Sequence, residues 1–135
     1  MNKKVTILVA CHKPDTVYKN DIYTPIHVGR AISKWNSEMA DMIGDDTGDN
    51  ISHKNPYYCE LTAQYWAWKN LNCEYVGLCH YRRYFETEIT RENIESILGK
   101  NADVLLAKPL VERRCMGKRL CFATCREDVE IFMRC

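Results

Sequence analysis

Residues 5–10, Val-Thr-Ile-Leu-Val-Ala, form a β-branched run almost free of polar side chains. This run constrains the fold more than any other feature. A strand with one wet face alternates apolar and polar residues, whereas one covered on both faces does not. Residues 75–79 and 103–107 repeat the pattern, and the three runs are expected to be neighbouring parallel strands of one sheet. Helical material separates the last two. Thr90 caps a helix with Ile94, Ile97 and Leu98 on one face and Gly99 as its stop. Asn55-Pro56 opens an earlier helix, expected over 56–70, with Leu61, Tyr65 and Trp68 at helical spacing. Tyr58 extends that face, and its aromatics are expected to pack core. Thr124-x-x-Glu127 is a capping-box signature ahead of Val129, Phe132 and Met133, so a final helix is expected from near Cys125 onward. Strands alternating with helices imply an α/β layered fold with a mainly parallel sheet. Residues 11–52 are punctuated by Pro14, Pro25, Gly29, Gly44 and Gly48 and read as mostly irregular, with a short helix near 31–35. Their Tyr, Ile, His and Trp content argues against disorder.

The length of 135 residues suits one domain, 1–135. Three firm strands make a thin sheet, and a chain ending in an amphipathic helix is expected to lack part of its parent domain. Lys plus Arg number 19 and Asp plus Glu 18, so no global charge draws the chain to nucleic acid or an anionic membrane. Lys3 and Lys4 before an apolar run ending at Cys11 mimic a lipoprotein signal, but the run is too short and adjoins the charges directly. The expectation is a buried first strand in a cytoplasmic chain. Reduced core thiols then suit Cys11, Cys59, Cys73 and Cys79. Cys115, Cys121, Cys125 and Cys135 lack a C-x-x-C pair, which leaves zinc a minority reading.

Four segments carry chemistry. Cys11-His12-Lys13-Pro14 follows the first strand, where ligands bind in open α/β sheets. Lys13 there can meet a phosphate and His12 a base or sugar; the alternative is a solvated proline loop. In residues 43–50, Asp45, Asp46, Asp49 and Asn50 are interspersed with Gly44 and Gly48, which allow tight turns. Such dense carboxylates recognise sugar hydroxyls, bind a cation, act as a base, or simply stay solvated. Gly77-Leu78-Cys79-His80-Tyr81-Arg82-Arg83-Tyr84-Phe85 runs from a buried strand into histidine, arginines and aromatics. Arginine offers phosphate a planar fork of donors; the alternative is a basic surface patch. Finally, Glu60 and Gln64 share a helical face at i, i+4 and line a polar pocket in the functional reading. His12, the 45–50 loop and Arg82 are expected to border one cleft.

The strings V-A-C-H-K-P, P-I-H-V-G-R, M-I-G-D-D-T-G-D-N-I-S, N-P-Y-Y-C-E-L-T-A-Q-Y-W-A-W-K-N and Y-V-G-L-C-H-Y-R-R-Y-F cover nearly all of residues 5–107. They resemble a bacterial family of capsular and exopolysaccharide gene clusters, catalogued as domain of unknown function 4422. The resemblance implies a GT-A-like, Rossmann-like nucleotide-sugar fold and glycosyltransferase activity; some relatives are associated with galactofuranose. Relatives continue past this chain, so an N-terminal part of the family domain is implied. An Asp-x-Asp, frequent in GT-A enzymes after the equivalent strand, is missing at His80-Tyr81-Arg82-Arg83.

The combined expectation is transfer of a sugar from a nucleotide donor, UDP-linked, to a growing glycan or lipid-linked glycan at the inner membrane face. His12 and Lys13 contact the nucleotide, and Asp45, Asn50, Glu60 and His80 the nucleotide-sugar. Arg82 and Arg83 neutralise the diphosphate, while Asp46 or Asp49 activates the acceptor or holds donor hydroxyls. No cofactor is required in this reading; the alternative is Mn²⁺ or Mg²⁺ on the acidic loop. The rival functions are a non-catalytic nucleotide- or glycan-binding module and a single-stranded nucleic-acid binder using stacking plus arginine.

Overall fold

The computed structural model describes residues 4–99, 102–106 and 131–134, the last as backbone only. The chain forms strands β1 (Val5–Cys11), β2 (Tyr23–His27), β3 (Ile43–Gly44), β4 (Tyr75–His80), β5 (Val104–Leu106) and β6 (Ile131–Arg134). Its helices are α1 (Asn55–Tyr58), α2 (Leu61–Asn70) and α3 (Ile94–Leu98), with 3-10 turns at Arg30–Ile32 and Ser52–Lys54. The strands make one sheet in the order β3-β2-β1-β4-β6-β5.

β1 lies at the centre, parallel to β2 on one side and β4 on the other. Its register pairs Val5 with Tyr75 and Ala10 with His80. Side-chain parity then sorts the core. Leu8, Ala10, Ile26, Val28, Val76 and Leu78 pack with Ala63, Trp66 and Ala67 of α2. Val5, Ile7, Val9, Cys11 and Cys79 face the other way, with Ile89, and with Ile94 and Leu98 of α3. The uninterrupted apolar character of β1 thus has a two-sided cause, because each face has its own cover. This is the α/β, mainly parallel, Rossmann-type layering expected.

Several expectations are corrected. β1 and β4 are parallel neighbours, but β6 pairs antiparallel with both β4 and β5, so the third run is separated from the second by an inserted strand. Ile131–Arg134 is that strand and not the end of a helix. Four apolar-rich residues satisfy either period, and the open edge of β4 decides the matter by offering a row of unpaired backbone groups. Thr124, Glu127 and the cysteines at 115, 121, 125 and 135 lie outside the described residues.

The 11–52 segment is more regular than expected, because it supplies β2 and β3. Pro25 is tolerated inside β2 for a geometric reason. Val28 N–H bonds the Cys11 carbonyl, so alternate residues face β1 while Pro25 and His27 face β3. β3 pairs only with Ile26 and His27, so no partner stands opposite the missing N–H of Pro25. The expected helix at 31–35 is a 3-10 turn, Arg30–Ile32.

The helix expected over 56–70 is broken. α1 ends at Cys59, whose φ of 49° makes it the non-glycine residue with positive φ among those described. After the break the buried stripe of α2 is Thr62, Ala63, Trp66 and Ala67. Tyr58, Leu61 and Trp68 are exposed, Trp68 by 68%. Cys59 is exposed as well, whereas Cys11 and Cys79 are buried as expected of core thiols. Burial pushes the Cys11 thiol up to about 12, with Asp15 adding to the effect. α3 follows its local signals closely. Thr90 N–H bonds Asn93 Oδ1 at 2.8 Å, Asn93 N–H bonds Thr90 Oγ1 at 3.2 Å, and Gly99 ends the helix.

Candidate functional site

In a sheet of this order the connection reverses between β1 and β4. β2 and β3 build outward on one side, and the chain then returns to the other. Ligands of open α/β sheets bind beyond the carboxyl ends of the strands at such a reversal. The residues standing there are His12 after β1, and His80, Tyr81, Arg82 and Arg83 at the end of β4.

His80 is 5% exposed and shares the sheet face of Leu78, the face covered by α2. Its Nδ1 accepts the Arg82 backbone N–H at 3.2 Å. With Nδ1 so used, the proton of the neutral ring resides on Nε2. Nε2 lies 3.9 Å from Glu60 Oε1, at the break between α1 and α2. The His12 ring centroid is 6.2 Å from that of His80 and 5.6 Å from that of Tyr81. Arg83 N–H bonds the His80 carbonyl at 2.9 Å, which closes a tight turn. Arg82 and Arg83 project from this turn and are exposed. The Arg82 guanidinium carbon lies 5.2 Å from the Tyr81 ring centroid, a cation–π contact that orients the fork. Tyr81 itself is 3% exposed.

The loop that follows β1, with His12 and the exposed Lys13, is held at its far end. Tyr18 N–H bonds Tyr84 Oη at 3.1 Å, and Tyr18 Oη donates to Glu88 at 2.7 Å. Arg91 pairs with Asp21 close by and holds that carboxyl below the usual carboxylate range.

The acidic loop does something different from what its composition suggests. Asp45 is fully buried and its carboxylate accepts four hydrogen bonds. These come from Gly29 N–H at 2.8 Å, Arg30 N–H at 3.2 Å, Ser52 Oγ at 2.5 Å and Thr62 Oγ1 at 2.6 Å. Four donors use the acceptor capacity of a carboxylate. Asp45 therefore ties the ends of β2 and β3 to the start of α2. Glycine is required beside it. Gly29 has φ 69°, and a Cβ there would sit 2.8 Å from the Asn55 side chain. At Gly44 a Cβ would run into Arg30 and Asp46. Asp46 is half-buried, with Oδ1 3.9 Å from Arg30 Nε and outside any hydrogen bond.

Beyond Asp46 the loop runs along α2. Trp66 Nε1 donates to Thr47 Oγ1 at 2.9 Å, and Asn70 Nδ2 donates to the Asp49 carbonyl at 2.9 Å. From Thr62 to Asn70 the helix rises about 12 Å. Asp49 lies alongside this helix, with its carbonyl on Asn70. There it accepts Tyr65 Oη at 3.1 Å and pairs with Lys69 at 3.8 Å. Asn50 spends its amide inside the loop, donating to the Gly48 carbonyl at 2.9 Å and accepting Ser52 N–H at 3.2 Å. The structure thus gathers His12, His80, Glu60, Arg82 and Arg83, and does not bring Asp49 or Asn50 to them. Asp45 is near in the fold, but its oxygens are spent on the protein.

Among the described residues no three His, Cys, Asp or Glu gather in a group that could hold a metal ion. Sequence reasoning missed Arg30, Ser52 and Thr62, and read Asn55 only as a helix start, although these residues organise the loops. Their signal was faint: a Ser-x-x-Asn and an isolated Thr in a helix are everywhere. It also passed over His27. This residue is fully buried, bonds Ser33 Oγ through Nε2 at 2.8 Å, and has no partner at Nδ1. Burial pushes its pKa down from 6.5, and Arg30 adds to this, while Asp45 and Asp46 oppose it.

Fold and site together define an α/β protein with histidines and exposed arginines at the reversal point of a Rossmann-type sheet. The chain belongs to the family described as "Domain of unknown function (DUF4422)", which matches residues 6–115. No curated protein matches the chain. A solved structure described as the apo form of WbbM, a bifunctional glycosyltransferase, is similar at 48% identity, covering 58% of this chain and 14% of that one. Its TM-score is 0.49, so the superposition adds nothing to the fold argument. The chain spans 14% of that protein's length.

Proposed function

We propose that the chain is the donor-binding part of a glycosyltransferase, taking a UDP-linked sugar and passing it to a growing bacterial capsular or exopolysaccharide glycan. One observation carries the reading: two adjacent arginines and two histidines stand at the reversal point of the sheet, where a nucleoside diphosphate would lie. The motif resemblance supports it and favours galactofuranose as the sugar. Breaking the glycosidic bond leaves negative charge on the diphosphate. Donors already held in place stabilise that charge without rearrangement. In this reading Arg82 and Arg83 take the diphosphate, His12 and Lys13 the nucleoside side, and His80 and Glu60 the sugar side. Asp45 shapes the loops rather than touching the donor. A lipid-linked acceptor would place the chain at the inner membrane face; no helix among the described residues is long and apolar enough to cross a membrane.

The test is thermal stabilisation by UDP, GDP, CMP and dTDP sugars, since a ligand that binds the native state raises its apparent stability. UDP-sugars are expected to raise Tm, and Arg82→Ala to abolish the shift without lowering the Tm of the unliganded chain. In an assay of UDP-sugar turnover Arg82→Ala is expected to cost about 10²–10³ in rate. Lysine should restore part of it, because it keeps the charge and loses the planar fork. Equal shifts from all nucleotides, or none, would count against the reading. Binding without turnover would favour a non-catalytic module.

A further inference from the structure

We infer that Glu60 is the group that takes the proton from the acceptor hydroxyl; the inference rests on the transferase reading above. It begins from the backbone. Cys59 adopts φ 49° and ψ −129°, a conformation costly for any residue with a Cβ. Asn55 holds it there by donating to the Cys59 carbonyl at 2.8 Å. Without that break α1 and α2 would be one helix, and residue 60 would continue its spiral. With it, Glu60 turns toward His80 at the strand ends.

The geometry also narrows the choice of base among the carboxylates singled out from the sequence. Asp45 is spent on four donors. Asp46 has its Oδ1 buried 3.9 Å from Arg30 Nε, so its carboxylate is drawn to a guanidinium rather than to the strand-end histidines. Asp49 lies along α2, bonded to Tyr65 and paired with Lys69. Glu60 combines access with anchorage. Its side chain is 34% exposed, while the histidine it faces is buried and fixed by the Arg82 backbone. The same histidine thereby links the turn carrying the diphosphate-binding arginines to the carboxylate.

In the step assigned, the acceptor oxygen attacks the anomeric carbon and the bond from that carbon to the diphosphate oxygen breaks. The bonding pair leaves on the diphosphate, beside Arg82. The acceptor proton passes to Glu60 and then to solvent. His80 is a positioning residue, because its ring is fixed through Nδ1 by the Arg82 backbone and presents Nε2 to Glu60 at 3.9 Å.

The experiment uses the full chain with UDP-galactofuranose as donor and octyl galactoside as acceptor, reading UDP release, with UDP affinity measured separately by calorimetry. Glu60→Gln is expected to lower turnover by about 10²–10⁴ and to leave UDP affinity unchanged. His80→Gln is expected to retain more activity than Glu60→Gln, with the loss in kcat and the donor KM unchanged. Turnover of Glu60→Gln near wild type, or a parallel loss of UDP affinity, would overturn the assignment alone. A wild-type chain that binds UDP but releases none from the donor would overturn it and leave donor binding standing. A wild-type chain that binds no UDP would remove the transferase reading and this assignment together.

Discussion

Asp45 shows how one residue's role depends on its neighbours in space. In sequence it belongs to a carboxylate cluster that could hold a cation or a sugar. In the fold it is buried with backbone N–H groups from Gly29 and Arg30 and hydroxyls from Ser52 and Thr62 around it. Asp45→Asn places an amide donor among donors. Stability is expected to fall by about 2–4 kcal/mol, seen as a lower urea midpoint with unchanged slope. A loss below about 1 kcal/mol would show that the loops do not depend on the charge. His27 makes a second residue-scale prediction. Its folded pKa lies below the ordinary 6.5, so the unfolded chain binds its proton more readily. This contribution to stability is fully present above 6.5 and is lost as pH falls through the depressed folded value. Urea titrations between about pH 5 and 8 are expected to show stability falling on the acid side, and His27→Gln to flatten that slope. Both residues were invisible as structural posts because a histidine or carboxylate in a list carries no burial.

At the scale of elements the local code succeeded where it was self-contained. Thr90, Asn93 and Gly99 specify α3 by bonds within a few residues, and the helix stands where they put it. It failed at α1–α2, where Asn55 and the Thr62–Asp45 bond impose a break that no local propensity contains. The break rotates the buried stripe to Trp66 and leaves Trp68 outside. Trp66→Ala is therefore expected to cost about 3–5 kcal/mol, whereas Trp68→Ala should stay within about 0.5 kcal/mol. Chemical denaturation of the two variants checks this, and equal losses would restore the unbroken helix. β6 failed for another reason. Its residues suit either period, and only the edge of β4 distinguishes them.

For the whole molecule, the α/β class and the parallel pairing of β1 with β4 were legible because burial on both faces writes itself into composition. The runs at 5–10 and 75–79 have no polar alternation, and a layered sheet is what makes that tolerable. The placement of His12, His80, Arg82 and Arg83 at one edge was legible for the same reason, since each follows a readable strand. The fate of the acidic loop was not. Four residues from three segments spend Asp45, and the run of the loop along α2 gives Asp49 to Tyr65 and Lys69. The pairing of Glu60 with His80 likewise depends on a helix break and on the side-chain parity of β4. Residue types and strand ends are properties of the chain taken locally. Which charged groups remain available to a ligand is settled by long-range contacts, because only these decide where each carboxylate finds its donors.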